Sequence, residues 1–252
     1  MYNKNYFIMQ SQAKAAVCLG STGAVGQRLL DELIGNPQFT TILTIVRKPN
    51  TENAKPSGKV VEHVVADMAN LESEVAKAVK EKVTEEQCVG FSTLGVGHNT
   101  AAMTIEQHRA VDVTLNANFA KGLKGSGKVD HFVFMSAAGA NPNTWDYGPG
   151  AAGFPRYNRV KGDAEEAVKQ SGISHISIFR PAMISGIPHT PKIAELVIPL
   201  LSFMTPSYLL SVKVKDLAKS MAVRGAQDVS KEPSGFNIFH FPEMKELCTK
   251  AQ

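Results

Sequence analysis

The sequence is poor in cysteine, in tryptophan and in uninterrupted apolar runs, and these shortages exclude several classes of protein. Its three cysteines lie far apart without a C-x-x-C spacing, which indicates unpaired thiols in a reducing compartment. The most apolar run, Ile193 to Leu210, is broken by one glutamate and two prolines and is a poor membrane span. The first 13 residues lack the apolar core of a signal peptide and the arginines of a transit peptide. We therefore expect a flexible tail over 1–13 and a cytoplasmic protein.

Neither positive nor negative side chains are concentrated in any one part of the sequence. The chain has 27 lysines and arginines against 23 acids, scattered without a long basic run, so no nucleic-acid partner is expected. Its seven histidines show no metal-ligand spacing, so no metal is expected either. The net charge of +4 suits a pocket for an anionic cofactor. Oligomeric state and protein partners are left open.

What the sequence does contain is an alternation of apolar runs and helical patterns. Continuous apolar strands separated by helices predict an α/β fold with a doubly wound parallel sheet, which is Rossmann-like. The strands are predicted at 15–19, 41–46, 60–65, 88–94, 131–136, 173–179 and 235–241. The helices are predicted at 25–35, 71–82, 103–123, from 156 onward, and at 215–224. Such sheets bind ligands beyond the carboxyl ends of their strands.

A glycine-rich turn connects the first predicted strand to the first helix. Glycine permits a tight turn, close approach of the backbone to a pyrophosphate and close packing of helix on strand, and the helix N-terminus favours the anion. The strand–turn–helix context supports a dinucleotide site. Its predicted residues are Gly20, Ser21, Thr22, Gly23, Ala24, Val25 and Gly26.

The ends of the next strands supply further candidate cofactor contacts. Arg47 and Lys48 stand where an enzyme specific for NADH usually has an acid, and two cations suit a 2′-phosphate, so NADPH (NADP+) is the predicted cofactor. Lys48 is equally a solvated loop start. Asp67 either accepts from the adenine amino group or is a solvated acid at a strand end. Leu94 and Gly95 close the fourth strand, where the backbone must pass close to the cofactor.

The candidate catalytic residues follow the fifth strand. Ser136 ends that strand, Tyr157 comes 21 residues later, and Lys161 lies one helical turn beyond the tyrosine. Each feature alone is more often structural. Their order, between two strands of one sheet, places all three at the rim that carries the glycine turn.

On these motifs the chain resembles the short-chain dehydrogenase/reductase superfamily, with a closer likeness to its extended and atypical members. The additional matching stretches are R-P-A-M followed by Gly186, and V-K-V-K-D-L-A-K-S-M at 212–221. The order of motifs is most similar to that of the Tat-interacting-protein-like NADPH-binding oxidoreductases. The resemblance implies that the backbone of Pro181, Ala182 and Met183 flanks the nicotinamide. Because the regular alternation of strands and helices decays after Pro181, we also expect one NAD(P)-binding domain over 14–252, to which 182–252 contribute a small substrate lobe.

The same resemblance implies roles for the catalytic set. Tyr157 would exchange a proton with a carbonyl or alcohol oxygen of a small-molecule substrate, and hydride would come from the cofactor. Lys161 would stabilise the phenolate and hold the nicotinamide ribose, and Ser136 would orient the substrate carbonyl. One departure concerns the relay asparagine of typical members: the comparable stretch, HRAVDVTLNANF, places Asp112 at that position, and Asn116 and Asn118 nearby are the alternatives.

Three functions fit this pattern. The first is an NADPH-dependent oxidoreductase that uses Ser136, Tyr157 and Lys161. The second is a non-catalytic NADPH-sensing regulatory or partner-binding protein. The third is an epimerase or dehydratase with the same residues. The retained Tyr157–Lys161 pair favours the enzyme, because sensor-type relatives tend to lose it.

Overall fold

The architecture comes from a computed structural model that describes residues 13–49, 57–186 and 206–250. Its strands are β1 Lys14–Leu19, β2 Phe39–Val46, β3 Val60–Val64, β4 Gln87–Ser92, β5 Val129–Met135, β6 His175–Phe179, β7 Ile184–Ser185, β8 Val212–Lys213 and β9 Gly235–Phe239. Its α-helices are α1 Ala24–Gly35, α2 Leu71–Lys82, α3 Ile105–Arg109, α4 Asn116–Gly125, α5 Pro155–Lys169, α6 Val214–Ala226 and α7 Phe241–Lys250. The predicted tail lies outside the described residues, apart from its last residue.

Seven of these strands form one parallel sheet in the order β3-β2-β1-β4-β5-β6-β9. The order in which strands are added to the sheet reverses between β1 and β4, and this switch opens a crevice beyond the carboxyl ends of those two parallel strands. Every residue of the central strand β1 is buried, including Lys14 at its start, which explains the continuous apolar run over 15–19. The predicted doubly wound α/β fold is confirmed.

Helices cover both faces of the sheet. One core lies between the sheet and α2, α4 and α5, with large side chains such as Phe119 and Phe132 at its centre. The other core lies between the sheet and α1, α6 and α7, around Phe39, Phe91 and Leu217. Burial on both faces holds the strand ends rigidly, so the loops that leave them are well positioned for binding.

The predicted helix 103–123 is interrupted. A 3₁₀ turn, Gly97–Ala102, precedes α3, and a π-helical turn, Ala110–Leu115, separates α3 from α4. The side chain of Asn116 stabilises the inner side of this turn, donating to the Asp112 carbonyl oxygen at 2.8 Å and accepting from Ser92 Oγ at 2.5 Å. The π turn thereby directs two polar residues, Asp112 and Asn116, toward the carboxyl end of β4.

The C-terminal third completes the main sheet. β9 pairs with β6, α6 packs against α1, and β7 pairs with β8 in a separate two-stranded sheet. The small substrate lobe over 182–252 stays a prediction, because 187–205 lie outside the described residues. Most of the apolar run that begins at Ile193 lies there too. Within the described ranges, no helix is both long enough and apolar enough to cross a membrane.

Candidate active site

The glycine turn after β1 has no room for side chains at two positions. Gly20 has a φ of +83°, and a Cβ there would lie 2.6 Å from the backbone nitrogen of Leu94. A Cβ on Gly26 would lie 2.0 Å from the Gly20 carbonyl oxygen. Thr93 fastens the turn to the end of β4, since its backbone nitrogen donates to the Leu19 carbonyl at 3.0 Å and its Oγ1 to the Gly20 carbonyl at 3.1 Å. Two strand ends and the turn are thus in direct contact.

The first turn of α1 has the form of an anion site. Gly23 is its N-cap, and no side chain caps the helix or places an acid in its first turn. The first amide groups of a helix lack partners within the helix and carry its positive dipole end. Together with the crowding at Gly20 and Gly26, this arrangement fits the pyrophosphate of a dinucleotide.

A cavity of about 700 Å³ opens beside this helix start. Predicted residues that line it are Gly23, Ala24, Val25, Gly95, Ser136, Tyr157, Lys161, Pro181 and Ala182. Other predicted residues are absent from its lining in the described part of the chain: Gly20, Ser21, Thr22, Gly26, Arg47, Lys48, Asp67, Leu94 and Met183. The structure therefore brings the three candidate catalytic residues together with the α1 end of the glycine turn.

Ser136 is held by a buried ion pair. Its Oγ donates to Glu165 Oε1 at 2.5 Å. Arg180 donates to both oxygens of the same carboxylate, from Nε at 2.8 Å and from Nη2 at 2.6 Å. Glu165 is only 1% exposed and Ser136 is 3% exposed. The Glu165 carboxylate thus accepts from Arg180 and from the serine hydroxyl at the same time.

Lys161 is held by a second buried ion pair. Its Nζ donates to Asp112 Oδ1, and Asp112 Oδ2 accepts from the Val96 backbone nitrogen at 3.0 Å. His108 lies beside the pair, with Nε2 3.7 Å from Asp112 Oδ2. Tyr157 completes the cluster, since its ring centroid is 5.7 Å from Lys161 Nζ and 5.7 Å from the His108 ring centroid. Asp112 is therefore a direct partner of Lys161.

These contacts fix the charges of both partners. Burial works against the carboxylate of Asp112, but Lys161 and His108 outweigh it and lower the pKa of Asp112 to about 2. Burial likewise works against the ammonium of Lys161, but the neighbouring Tyr157 and Asp112 outweigh it and raise the pKa of Lys161 above its ordinary value. Lys161 is thus an ammonium and Asp112 a carboxylate across the physiological range.

The predicted contacts for the adenosine end lie farther out. Arg47 and Lys48 follow β2 directly and are exposed. The Asp67 side chain caps the short 3₁₀ turn Met68–Asn70, where it accepts from the Ala69 backbone nitrogen at 3.0 Å. Its second oxygen, Oδ2, accepts from Asn70 Nδ2 at 3.3 Å, so both oxygens serve the turn, and a contact of Asp67 with an adenine amino group stays a prediction.

Several residues of the site were not predicted. Arg28 lines the cavity from the second turn of α1, with 61% of its side chain exposed and Asp31 3.6 Å away. Glu165 and His108 influence the site indirectly, because Glu165 accepts a hydrogen bond from Ser136 and His108 lies beside Asp112. Arg28 could have been found from its place two residues after Gly26. Nothing in the local pattern distinguishes Glu165 or His108, because their partners are distant in sequence.

Comparison with known proteins shows the family of this chain. The family described as NAD(P)H-binding matches residues 20–202. Protein fmp52, mitochondrial, of Emericella nidulans is 33% identical over 181 residues, which cover 71% of this chain and 70% of that protein. The predicted likeness to the Tat-interacting-protein-like group is not tested by these relatives and stays a prediction.

Two solved structures share the fold. WbmG of Bordetella bronchiseptica, in complex with NAD, has a TM-score of 0.64 at 15% identity and covers 96% of this chain and 78% of its own. The oxidoreductase ylbE of Lactococcus lactis has a TM-score of 0.61 at 18% identity and covers 93% of this chain and 95% of its own. At such low identity these likenesses establish the fold alone.

The predicted cytoplasmic location is wrong. The fungal relative from Emericella nidulans and others like it are named mitochondrial proteins. The prediction relied on scarce cysteines and on an N-terminal segment without arginine. Unpaired cysteines indicate a reducing compartment but do not distinguish the cytoplasm from the interior of a mitochondrion.

Proposed function

We propose that this chain, which belongs to the NAD(P)H-binding family, is an NADPH-dependent oxidoreductase of the short-chain dehydrogenase/reductase type, acting on a small carbonyl or alcohol substrate. The observation that carries the proposal is that Ser136, Tyr157 and Lys161 line one cavity with the N-terminus of α1. The resemblance to the Tat-interacting-protein-like subgroup supports NADPH as the cofactor.

The cofactor's phosphates would lie at the start of α1, and its nicotinamide beside Pro181 and Ala182, which line the same cavity. When bound, the nicotinamide supplies or receives the hydride. Tyr157 donates its phenolic proton to the substrate oxygen in reduction and recovers it in oxidation. Lys161 stabilises the phenolate that remains, and its charge is secured by Asp112.

The enzyme proposal is tested by replacing Tyr157 with phenylalanine. Loss of the proton donor should lower turnover by about 100-fold or more, whereas the dissociation constant for NADPH should change little. Tyr147→Phe is a matched control, because Tyr147 is exposed and stacks on Trp145 rather than lining the cavity. A panel of carbonyl substrates with no NADPH turnover, or turnover that Tyr157→Phe leaves intact, would refute the proposal.

NADPH specificity is tested separately. Arg47→Ala should weaken NADPH binding by about tenfold or more and NADH binding little, because a guanidinium pairs with the 2′-phosphate that only NADPH carries. Arg28→Ala is the informative comparison, since Arg28 lines the cavity and is also a cation. A selective loss of NADPH in Arg28→Ala, with none in Arg47→Ala, would move the 2′-phosphate contact to α1. Fluorescence titration of both cofactors gives the dissociation constants.

An NADPH-sensing binding protein is the second candidate, and one observation favours it. The Lys161 ammonium and the Ser136 hydroxyl both have a partner within the protein, on Asp112 and Glu165. A sensor would bind NADPH with the Arg47 dependence described above, yet reduce nothing in the substrate panel. NADPH turnover by the unmodified protein in that panel therefore separates the two candidates.

We also propose a mitochondrial protein, on the strength of the names of its fungal relatives. A C-terminally tagged full-length chain should co-purify with mitochondria and resist added protease until the membranes are lysed. A tagged protein found in the soluble fraction after cell breakage with intact mitochondria would overturn this.

A further inference from the structure

The charge that faces Tyr157 is that of an ion pair and not that of a single ammonium. Lys161 Nζ is 5.7 Å from the Tyr157 ring centroid, and an unpaired ammonium at this distance would favour the phenolate. In this chain Lys161 donates to the carboxylate of Asp112, and both residues are at most 5% exposed. A carboxylate beside an ammonium opposes its effect on the surroundings. Lys161 therefore stabilises the phenolate less than an unpaired lysine would.

The ion pair is packed against backbone and keeps its charges. A Cβ on Gly95 would lie 3.2 Å from both Asp112 Oδ1 and Lys161 Nζ, so the chain passes directly over the pair. The other Asp112 oxygen accepts from the Val96 backbone nitrogen at 3.0 Å. Although burial disfavours both charges, Lys161 lowers the pKa of Asp112 to about 2, and Tyr157 with Asp112 raises the pKa of Lys161. Both charges are therefore present throughout the neutral range.

The other charged groups around Tyr157 do not restore a net positive charge. Glu165, on the same helix as Tyr157, is buried and paired with Arg180, which follows β6. His108, on α3, is fully buried, and its ring centroid is 5.7 Å from that of Tyr157. His108 is thus the other titratable group in contact with the Tyr157 ring, and a test must distinguish the two.

We propose that Asp112 is a positioning residue that acts through Lys161 and keeps Tyr157 in the phenol form at neutral pH, the form that carbonyl reduction requires. This rests on the proposed oxidoreductase function and specifies its working direction as reduction. In that step the carbonyl carbon receives the hydride and its oxygen receives the Tyr157 proton, while NADPH is oxidised to NADP+. The phenolate then regains a proton from solvent.

A spectroscopic titration tests the proposal without turnover. The near-ultraviolet absorbance of phenolate is followed against pH in the full chain saturated with NADP+, and the same titration of Tyr157→Phe is subtracted. The difference isolates Tyr157 from the other tyrosines. Asp112→Asn, measured against its own Tyr157→Phe double variant, should form phenolate about one pH unit lower, because Lys161 is then unbalanced. Asp112→Glu keeps the charge and should restore the midpoint of the unmodified protein. An unchanged or raised midpoint in Asp112→Asn overturns the proposal.

The matched control removes a different carboxylate from the same part of the fold. Asp163 lies on α5 and pairs with Arg109 Nη2 at 2.7 Å and with Arg159 Nε at 3.1 Å. Asp163→Asn therefore also breaks an ion pair, but not one that includes Lys161, and it should leave the midpoint unchanged. If Asp163→Asn moves the midpoint as far as Asp112→Asn does, loosened packing is the cause and the proposal is wrong.

A second measurement uses the unmodified protein and does not depend on how Asp112→Asn folds. Where Tyr157 is a phenol, kcat/KM for alcohol oxidation should rise about tenfold per pH unit between about pH 6 and pH 8, and kcat/KM for carbonyl reduction should stay constant. His108→Phe should keep this slope; loss of the slope would assign it to His108 and contradict the proposal. Oxidation that is independent of pH over this range would also overturn it. Absence of turnover in both directions would refute the proposed function, while the spectroscopic shift would still stand.

Discussion

Replacing Asp112 with asparagine tests how far Lys161 depends on one buried carboxylate. Asp112 is 1% exposed, and its two oxygens accept separately from Lys161 Nζ and from the Val96 backbone nitrogen. Asparagine has the same shape but only one acceptor oxygen. In either orientation its amide group meets a donor, so one buried hydrogen bond becomes a repulsive contact and Lys161 loses its counter-charge.

The size of the effect follows from two independent considerations. Removing one partner of a buried ion pair costs about 3–5 kcal/mol. The pKa of Asp112 falls from an ordinary 3.8 to about 2 in the folded protein. At about 1.36 kcal/mol per pH unit, that difference corresponds to roughly 2 kcal/mol of stability at neutral pH. We therefore expect Asp112→Asn to lower the free energy of unfolding by about 2–4 kcal/mol at pH 7.

The pH dependence distinguishes this explanation from a simple packing defect. A carboxyl with a depressed pKa stabilises the folded state fully above its unfolded value of 3.8, and this stabilisation is lost as the pH falls toward 2. About half of the pH-dependent part should be gone at pH 3. The difference in unfolding free energy between wild type and Asp112→Asn should shrink accordingly between pH 7 and pH 3.

The assay is urea unfolding followed by circular dichroism at several pH values. Asp130→Asn is the matched control, because Asp130 is exposed and its nearest cation, Lys124 Nζ, is 3.9 Å away; it should change stability by less than about 0.5 kcal/mol. A difference for Asp112→Asn below about 0.5 kcal/mol at pH 7, or one that is constant down to pH 3, would refute the reasoning.

Two other predictions follow from the packing. Gly26→Ala should abolish NADPH binding and lower Tm, because the new Cβ would lie 2.0 Å from the Gly20 carbonyl oxygen. Gly35→Ala is the control in the same helix and should do neither, because nothing lies near its Cβ position. If Gly26→Ala still binds NADPH, the turn can move and the reasoning is wrong. A thiol reagent should label only Cys248 in the native protein and all three cysteines in denaturant. The reason is that Cys18 and Cys88 are buried, which raises the pKa of Cys88 to about 12 and raises the pKa of Cys18 as well. Fast labelling of a second cysteine in the native protein would contradict this burial.

The parts of the site that were predictable from sequence are those coded locally. The glycine turn is recognisable because it lies between an apolar strand and a helix. In a parallel sheet the carboxyl ends of the strands lie at one edge, and this places Ser136 and Gly95 at the same edge. Tyr157 and Lys161 share a face of α5 because they are one turn apart. In each case the local pattern and the direction of the strands were sufficient.

What could not be predicted depends on contacts between distant segments. The π turn that directs Asp112 inward could not be recognised in the helical pattern of 103–123. The wider turn only makes the spacing of the apolar residues irregular, and an irregular spacing does not identify a π turn. Glu165 resembles any acid on a helix until Arg180 and Ser136 are brought to it. Helix α7 was missed, although Phe241, Met244 and Leu247 repeat at helical spacing and pack on α6.

The two ion pairs also determine where the cofactor's charge can be recognised. Lys161 is balanced by Asp112, and Arg180 by Glu165, so the inner part of the cavity carries fixed dipoles but little net charge. An inner site of this kind favours a proton exchange at Tyr157 over capture of an anion. In the proposed function, attraction for the cofactor phosphates would therefore come from the uncapped start of α1. The proposed function would therefore place phosphate binding at the α1 end of the cavity and proton exchange at the Tyr157 end.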